Sequence, residues 1–205
     1  MRIVVFGATS PTGRVFLDAC AGAGHHTTAF VRDPARLRGA RADQVLVGDV
    51  FDPDEVRPAV EGAHAVLIAL GLKSDRRTPL YSKGTRTITD AMRTVGVRRL
   101  LVLSEAAYTP YVVGTSNLLI STIYGVLSAP AIRERRRQDS VVAGSGLDWS
   151  VVRPGVLTDG PHTRALVPVL VPHRSLLART SRHDLAGLLL AVLNDSRTYR
   201  QSIYP

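Results

Sequence analysis

Three hydroxyl side chains and two glycines are packed into the seven residues Gly7-Ala8-Thr9-Ser10-Pro11-Thr12-Gly13. The apolar run Arg2-Ile3-Val4-Val5-Phe6 leads in, and Arg14-Val15-Phe16-Leu17-Asp18-Ala19-Cys20 leads out with helical composition. A strand, a tight turn and a helix in that order make an anion site. The first N–H groups of a helix have no partner inside it, and the helix dipole adds partial positive charge there. Gly7 permits the sharp turn, and Gly13 permits the helix to pack close to the strand. Thr9, Ser10 and Thr12 can donate hydroxyl hydrogens to a pyrophosphate. The spacing G-x-x-S-x-x-G holds two of the three glycines of the dinucleotide-binding fingerprint, with Ser10 at the middle position. A plain strand–helix connection is the alternative, and further strand-end residues argue against it.

Arg32 closes a second apolar run, 25 residues after Gly7. A carboxylate at that place would accept hydrogen bonds from both ribose hydroxyls and repel a 2′-phosphate; a guanidinium presents a donor fork that matches phosphate. Arg32 therefore points to NADP(H), with Arg36 placed to assist; the competing role for Arg32 is a solvated pair with Asp33. Gly48-Asp49-Val50 ends a third run, where an acid can meet adenine through its carboxylate or through the next N–H. Asp52 is the better candidate to cap the helix that follows.

The elements that must hold these residues read as alternating strands and helices. Apolar runs mark strands at about 2–6, 27–31, 44–48, 65–70, 99–103 and 149–152, and helices fit 12–22, 53–61, 81–96, 130–145 and 182–194. Near-continuous Val, Ile and Leu runs are the mark of parallel strands covered on both faces. The expected architecture is an α/β, Rossmann-type doubly wound parallel sheet of order 3-2-1-4-5-6, with a possible extra strand near 199–204. Residues 1–205 read as a single domain with two apolar loops at about 105–129 and 155–178. In such a sheet Gly7, Arg32, Asp49, Leu70, Gly71 and Ser104 share the carboxyl rim, where ligands bind.

Composition narrows the classes. Hydrophobic residues make up 45% of the 205, and no apolar run reaches the roughly 20 residues that span a bilayer. The amino terminus is itself a core strand rather than a secretory leader, and the lone Cys20 excludes an internal disulfide framework, so a cytoplasmic protein is expected. Cys20 reads as a buried apolar residue. Net charge is +9, with only Lys73 and Lys83 as lysines. The densest basic cluster, Arg133-Glu134-Arg135-Arg136-Arg137, reads as a solvated helix surface. Aromatic content of 5% leaves little base-stacking surface, so nucleic acid is not an expected partner. His25-His26 stands without acidic or cysteine neighbours in sequence, so no metal site is expected.

The motifs together resemble the atypical branch of the short-chain dehydrogenase/reductase superfamily, and within it the NAD(P)H-binding group that includes biliverdin reductase B, a flavin reductase. The resemblance rests on G-A-T-S-P-T-G at 7–13, V-R-D-P-A-R-L at 31–37, G-D-V at 48–50 and I-A-L-G at 68–71. It continues with G-L-D-W-S-V-V-R-P-G at 146–155, S-R-H-D-L-A at 181–186 and S-I-Y-P at 202–205. It implies that Leu70 and Gly71 pass the nicotinamide ribose and that Ser104 lies by the nicotinamide as the candidate catalytic residue. It also implies that Arg153 braces the fold by buried pairing. Three departures stand out. None of the six tyrosines has a lysine four residues later, so the Tyr-x-x-x-Lys proton donor of ketone reductases is missing. Glu105 takes the place of the group's second hydroxyl, and Val156 that of its histidine.

Hydride transfer to a flavin, quinone or tetrapyrrole-like acceptor needs little acid–base help, because the acceptor delocalises the added electrons. A small planar substrate is therefore expected, with Tyr108 and Tyr111 to stack on it and Val156 and His162 nearby. The expected function is an NADPH-dependent oxidoreductase acting as a monomer or homodimer. The alternative is a non-catalytic NADP-binding redox sensor. A sugar-nucleotide epimerase is disfavoured by the missing tyrosine–lysine pair. Asp184 is expected to cap the last helix.

Overall fold

The computed structural model describes residues 1–71, 79–105, 129–170 and 179–205. Strand β1 (Arg2–Phe6) turns into α1 (Pro11–Gly22), followed by β2 (His26–Val31), β3 (Gln44–Val47), α2 (Pro53–Val60) and β4 (Ala65–Ile68). Then come α3 (Leu80–Thr94), β5 (Arg99–Leu103), α4 (Ala129–Ala143), β6 (Asp148–Val152), β7 (Val156–Thr158), β8 (Arg179–Ser181), α5 (Arg182–Leu193) and β9 (Gln201–Ile203). Seven strands form one sheet in the order β3-β2-β1-β4-β5-β6-β9, and all its pairings are parallel. The first six stand in the order expected from the sequence, and the carboxyl-terminal segment adds the seventh beside β6, with Val152 opposite Ile203. β7 and β8 form a separate parallel pair. Three residues carry too little alternation for either strand to register in the sequence.

β1 shows why this sheet needs two covers. Ile3 and Val5 enter one core, Val4 and Phe6 the other, as the two-residue period of a strand requires. α1 and α5 cover the first face with Phe16, Leu17, Leu185, Leu188 and Val192. α2 and α3, with Val142 of α4, cover the second through Val56, Val60, Ile88 and Met92. Cys20 is fully buried in the first core, and burial pushes its thiol up to about 12. It packs as a small apolar side chain. Among the described residues, no helix is long and apolar enough to cross a membrane.

Helix starts follow their local chemistry. Ser10 caps α1 and Asp52 caps α2, each followed by a proline whose missing N–H would have had no helical partner. The expectation for Asp184 is corrected. α5 begins two residues before it, so Ser181 holds the cap position and its Oγ accepts the Asp184 N–H at 3.0 Å. The Asp184 carboxylate instead accepts the N–H and hydroxyl of Thr163 at 2.8 and 2.6 Å and the N–H of Arg164 at 3.2 Å. It thereby ties the loop after β7 to the start of α5. Burial alone would raise this carboxyl; the donors from Thr163, Arg164 and Ser181 outweigh it and hold the group well below the usual carboxylate range.

The basic cluster on α4 is also corrected. Packing against α3 buries Glu134 and Arg135 and leaves Arg133, Arg136 and Arg137 exposed. The Arg135 guanidinium lies 3.6 Å over the Tyr81 ring and donates to Leu103 O at 3.2 Å and Gln138 Oε1 at 2.9 Å. At the opposite end of β5, Arg99 is 5% exposed. It donates to the carbonyls of Leu193 at 3.0 Å, Val192 at 2.7 Å and Asp148 at 2.7 Å, and to Ser150 Oγ at 2.9 Å. Its guanidinium lies 4.5 Å over the Tyr199 ring. Burial pulls its pKa down to about 10 against the pull of Tyr199, Asp148 and Asp195.

Two expectations follow. Arg99→Met keeps the apolar stem but removes the guanidinium donors from three carbonyls, two of them at the end of α5; it should cost about 3 kcal/mol, read as a lowered urea midpoint at unchanged m-value. The stability due to Asp184 is fully present above its unfolded value near 3.8 and is lost as pH falls through the depressed folded value. Urea midpoints measured from pH 6 down to pH 2.5 should therefore fall more steeply for the wild type than for Asp184→Asn.

Candidate functional site

A parallel sheet brings the carboxyl ends of its strands to one rim. Here the exits of β1, β2, β3 and β4, with the start of α3, enclose a cleft of about 260 Å³. Its walls include Gly7, Thr9, Ser10, Arg32, Asp49, Val50, Leu70 and Gly71, so eight expected residues from four separate chain segments come together. Arg36 joins them, as do Pro11, Phe30, Val31, Gly48 and Leu80, which sequence reasoning did not assign to the site. Alternation along β2 offered the cue for Phe30: it shares a face with Phe6, and the two rings stand 4.9 Å apart. Thr12 and Gly13 are not among the wall residues; both are buried in the first turn of α1.

The turn is built for close approach. Gly7 has φ +83°, and a Cβ there would meet Ala69 O at 2.3 Å. A Cβ on Gly13 would meet Gly7 O at 2.4 Å. The Ser10 N–H donates to Gly7 O at 2.9 Å, and Ser10 Oγ accepts from the Gly13 N–H at 3.0 Å. Ser10 thus caps the helix and keeps its hydroxyl hydrogen to donate outward. Arg14 reaches back to Thr9 O at 2.8 Å and adds a cation beside the turn; its place in the first turn of α1 was the available cue.

At the end of β2 the Asp33 carboxylate takes the Ala35 N–H at 3.1 Å, opening a short 3-10 turn over Pro34–Leu37. That turn carries Arg36 back to the cleft beside Arg32. Among the described residues, Asp33 forms no ion pair with Arg32. At the end of β3 the Asp49 N–H donates to Glu55 Oε2 at 2.7 Å, and Asp49 Oδ1 accepts the Phe51 N–H at 3.0 Å. The Asp49 carboxylate is therefore fixed in a local turn. The cleft walls hold two guanidinium groups, Arg32 and Arg36, against one carboxylate, Asp49.

The remaining site residues stand farther along the rim. Ser104 is 2% exposed and is not a cleft wall. Its N–H donates to Val152 O at 2.9 Å, and its hydroxyl accepts from Arg153 Nη1 at 3.3 Å. Arg153 is the buried brace that the resemblance implies, reaching Asp139 at 2.8 Å and Ser202 Oγ at 3.1 Å. Glu105 lies 3.8 Å from Arg135. Val156 is exposed on β7. His162 Nδ1 lies 2.7 Å from Asp184 Oδ1. Tyr108 and Tyr111, with most of the 105–129 loop, lie outside the described residues. His26 does have an acidic neighbour, Asp43 at 3.5 Å, which the fold supplies from the residue just before β3. Among the described residues, no group of three His, Cys, Asp or Glu could hold a metal ion.

Comparisons with known proteins agree with this fold. The model of the NAD(P)H-binding family covers residues 7–196. A 3-diazoavenalumate denitrifying reductase from a Streptomyces species is 31% identical over 179 residues, which is 80% of this chain and 58% of the relative. The chain thus spans less than two thirds of that relative's length. A short-chain dehydrogenase/reductase from Veillonella parvula, solved in complex with NADP, superposes with a TM-score of 0.78 at 18% identity, covering 99% of this chain and 93% of the other. An anaerobilin reductase from Escherichia coli O157:H7 gives a TM-score of 0.77 at 20% identity, over 100% and 96% of the two chains. At these identities the two structures speak for the fold alone. The family model, by contrast, runs from the Gly7 turn to the residues just before β9, and on that match this chain belongs to the NAD(P)H-binding family.

Proposed function

We propose that this chain is an NADPH-dependent reductase whose acceptor is a planar conjugated molecule, of the flavin, quinone or tetrapyrrole kind. The observation that carries the cofactor half is the pair Arg32 and Arg36 on the wall of a cleft whose other end is the Gly7–Gly13 turn. The wall chemistry fits the cofactor. Apolar Phe30, Val50, Leu70 and Leu80 suit an adenine ring, and the Asp49–Val50 corner offers its polar edge. The start of α1 suits a pyrophosphate, and two guanidinium groups suit one more phosphate on the ribose.

In this reading Gly7, Thr9, Ser10, Thr12 and Gly13 form the pyrophosphate seat, with Thr12 and Gly13 supporting it from the helix interior. Arg32 holds the 2′-phosphate. Leu70 and Gly71 guide the second ribose towards Ser104. When bound, NADPH would supply a hydride, that is, two electrons with one proton. The chain supplies orientation and an apolar face, which suffice for an acceptor that spreads the added charge over a conjugated system. The relative from a Streptomyces species, a 3-diazoavenalumate denitrifying reductase, supports reductase chemistry.

The test is a pair of titrations followed by turnover. Arg32→Ala should weaken NADPH binding by roughly 10- to 100-fold, the worth of a charge-assisted phosphate contact, and leave NADH binding within about twofold. An unchanged ratio of the two affinities counts against the assignment. Wild-type protein should oxidise NADPH in the presence of FMN or menadione; stoichiometric binding without turnover would favour the sensor.

A further inference from the structure

His162 stands on the loop after β7 with one ring nitrogen 2.7 Å from Asp184 Oδ1, while its side chain is 64% exposed. Asp184 is 3% exposed and already gathers Thr163 and Arg164. An unprotonated Nδ1 at that distance would point its lone pair at a carboxylate oxygen. The contact therefore requires the hydrogen on Nδ1, and Nε2 becomes the atom that gains and loses a proton. A buried acid holding Nδ1–H also fixes the ring's orientation, as the outer partners of metal-bound histidines do.

Placement gives this pair a use. α5 runs back from the carboxyl rim beside α1 on the same face of the sheet, so Asp184 in its first turn stands on the rim. The adenosine cleft lies over β2 and β3, and the pyrophosphate turn lies at β1. A dinucleotide laid along the rim therefore extends its reacting half towards β5 and β6, the strand that leads into β7 and His162. The same segment exposes Val156 at 46%, Val167 at 72% and Leu170 at 49%, the kind of apolar surface a flat acceptor covers.

We infer that His162 is the proton donor to the reduced acceptor, that Asp184 is its positioning residue, and that Val156, Val167 and Leu170 supply the acceptor's apolar bed. This rests on the reductase reading above. Once the acceptor has received hydride, a conjugated oxygen or nitrogen carries the surplus negative charge. That atom takes the proton from Nε2, the N–H bonding electrons stay on the ring, and water returns a proton to Nε2. Nδ1–H remains on Asp184 throughout. NADPH, acceptor and one proton become NADP⁺ and the two-electron-reduced acceptor. Among the described residues, the other titratable or charged groups around this pair are Asp159, paired with Arg182; His183, whose Nδ1 lies 3.0 Å from Gly160 O; and Arg164 and Arg179. His183 is the control, because it is the described histidine next to Asp184 on α5.

The experiment has two arms. In the free protein, imidazole nitrogen–proton correlation spectra should show His162 with hydrogen on Nδ1, and Asp184→Asn should shift it towards the other tautomer, a change that a merely structural acid would not cause. In turnover with NADPH and menadione from pH 5.5 to 9, the wild-type kcat should fall as His162 loses its Nε2 proton. His162→Gln should lower kcat by roughly 10- to 100-fold, near the low end for general acids, and flatten that profile. Its NADPH affinity and thermal midpoint should match wild type, and His183→Gln should keep the wild-type profile. An Nε2–H tautomer in the wild type overturns the inference, as does a His162→Gln enzyme with unaltered kcat and pH profile. Failure of the wild type to bind NADPH sinks the reductase reading first, and this one with it.

Discussion

At the exit of β1 the chain swings through Gly7 with the peptide between Ala69 and Leu70 pressed where a side chain would stand. An added Cβ would lie 2.3 Å from Ala69 O and 2.8 Å from Leu70 N. The exits of β1 and β4 therefore meet through backbone alone, clipped by the Ala69 N–H to Phe6 O bond at 2.8 Å. That contact sets the floor of the cleft. With the floor fixed, Ser10 can cap α1 at the right height, and the first turn of the helix looks across to Arg32 and Arg36. No L side chain enters that conformation without strain, so cleft and turn are one object.

The distribution of charge follows from the same scaffold. An excess of +9 suggests at first a surface for a polyanion, yet the arginines are used in quite different ways. Arg99, Arg135 and Arg153 are buried struts, each serving several carbonyl, hydroxyl or carboxylate oxygens at the ends of β5 and β6. Arg32 and Arg36 face the cleft, and Arg14 stands beside its turn. A guanidinium suits both uses because it keeps its charge when buried and offers five donors in a fixed plane. Net charge could not separate struts from ligands; only the positions of the side chains along their elements do.

Much of this was legible in the chain itself. The six long strands announce themselves as apolar runs, and their order follows from the handedness of βαβ crossovers. The Gly7–Gly13 turn and Arg32 are strand-end residues, and their meeting is a consequence of parallel topology rather than of any local preference. What stayed hidden depends on contacts distant in sequence. Phe30 has room for its ring because Gly48, just past the end of β3, carries no side chain. Asp184 looks like a cap until Ser181 is seen to occupy that post. Glu134 and Arg135 look solvated until α3 brings Tyr81, Ser82 and Thr85 against α4. β7 and β8 have no internal pattern; each exists because the other pairs with it.

Arg99 grips the last turn of α5 from the amino end of β5, whereas the first turn of that helix carries Asp184 at the opposite end of the sheet. One rigid rod is thus anchored at its base by a group that takes no part in ligand contacts, and offers its tip to the loop bearing His162. Such an arrangement separates folding from specialisation. A substitution at the tip leaves the grip at the base intact, so the two ends of the helix can be altered independently.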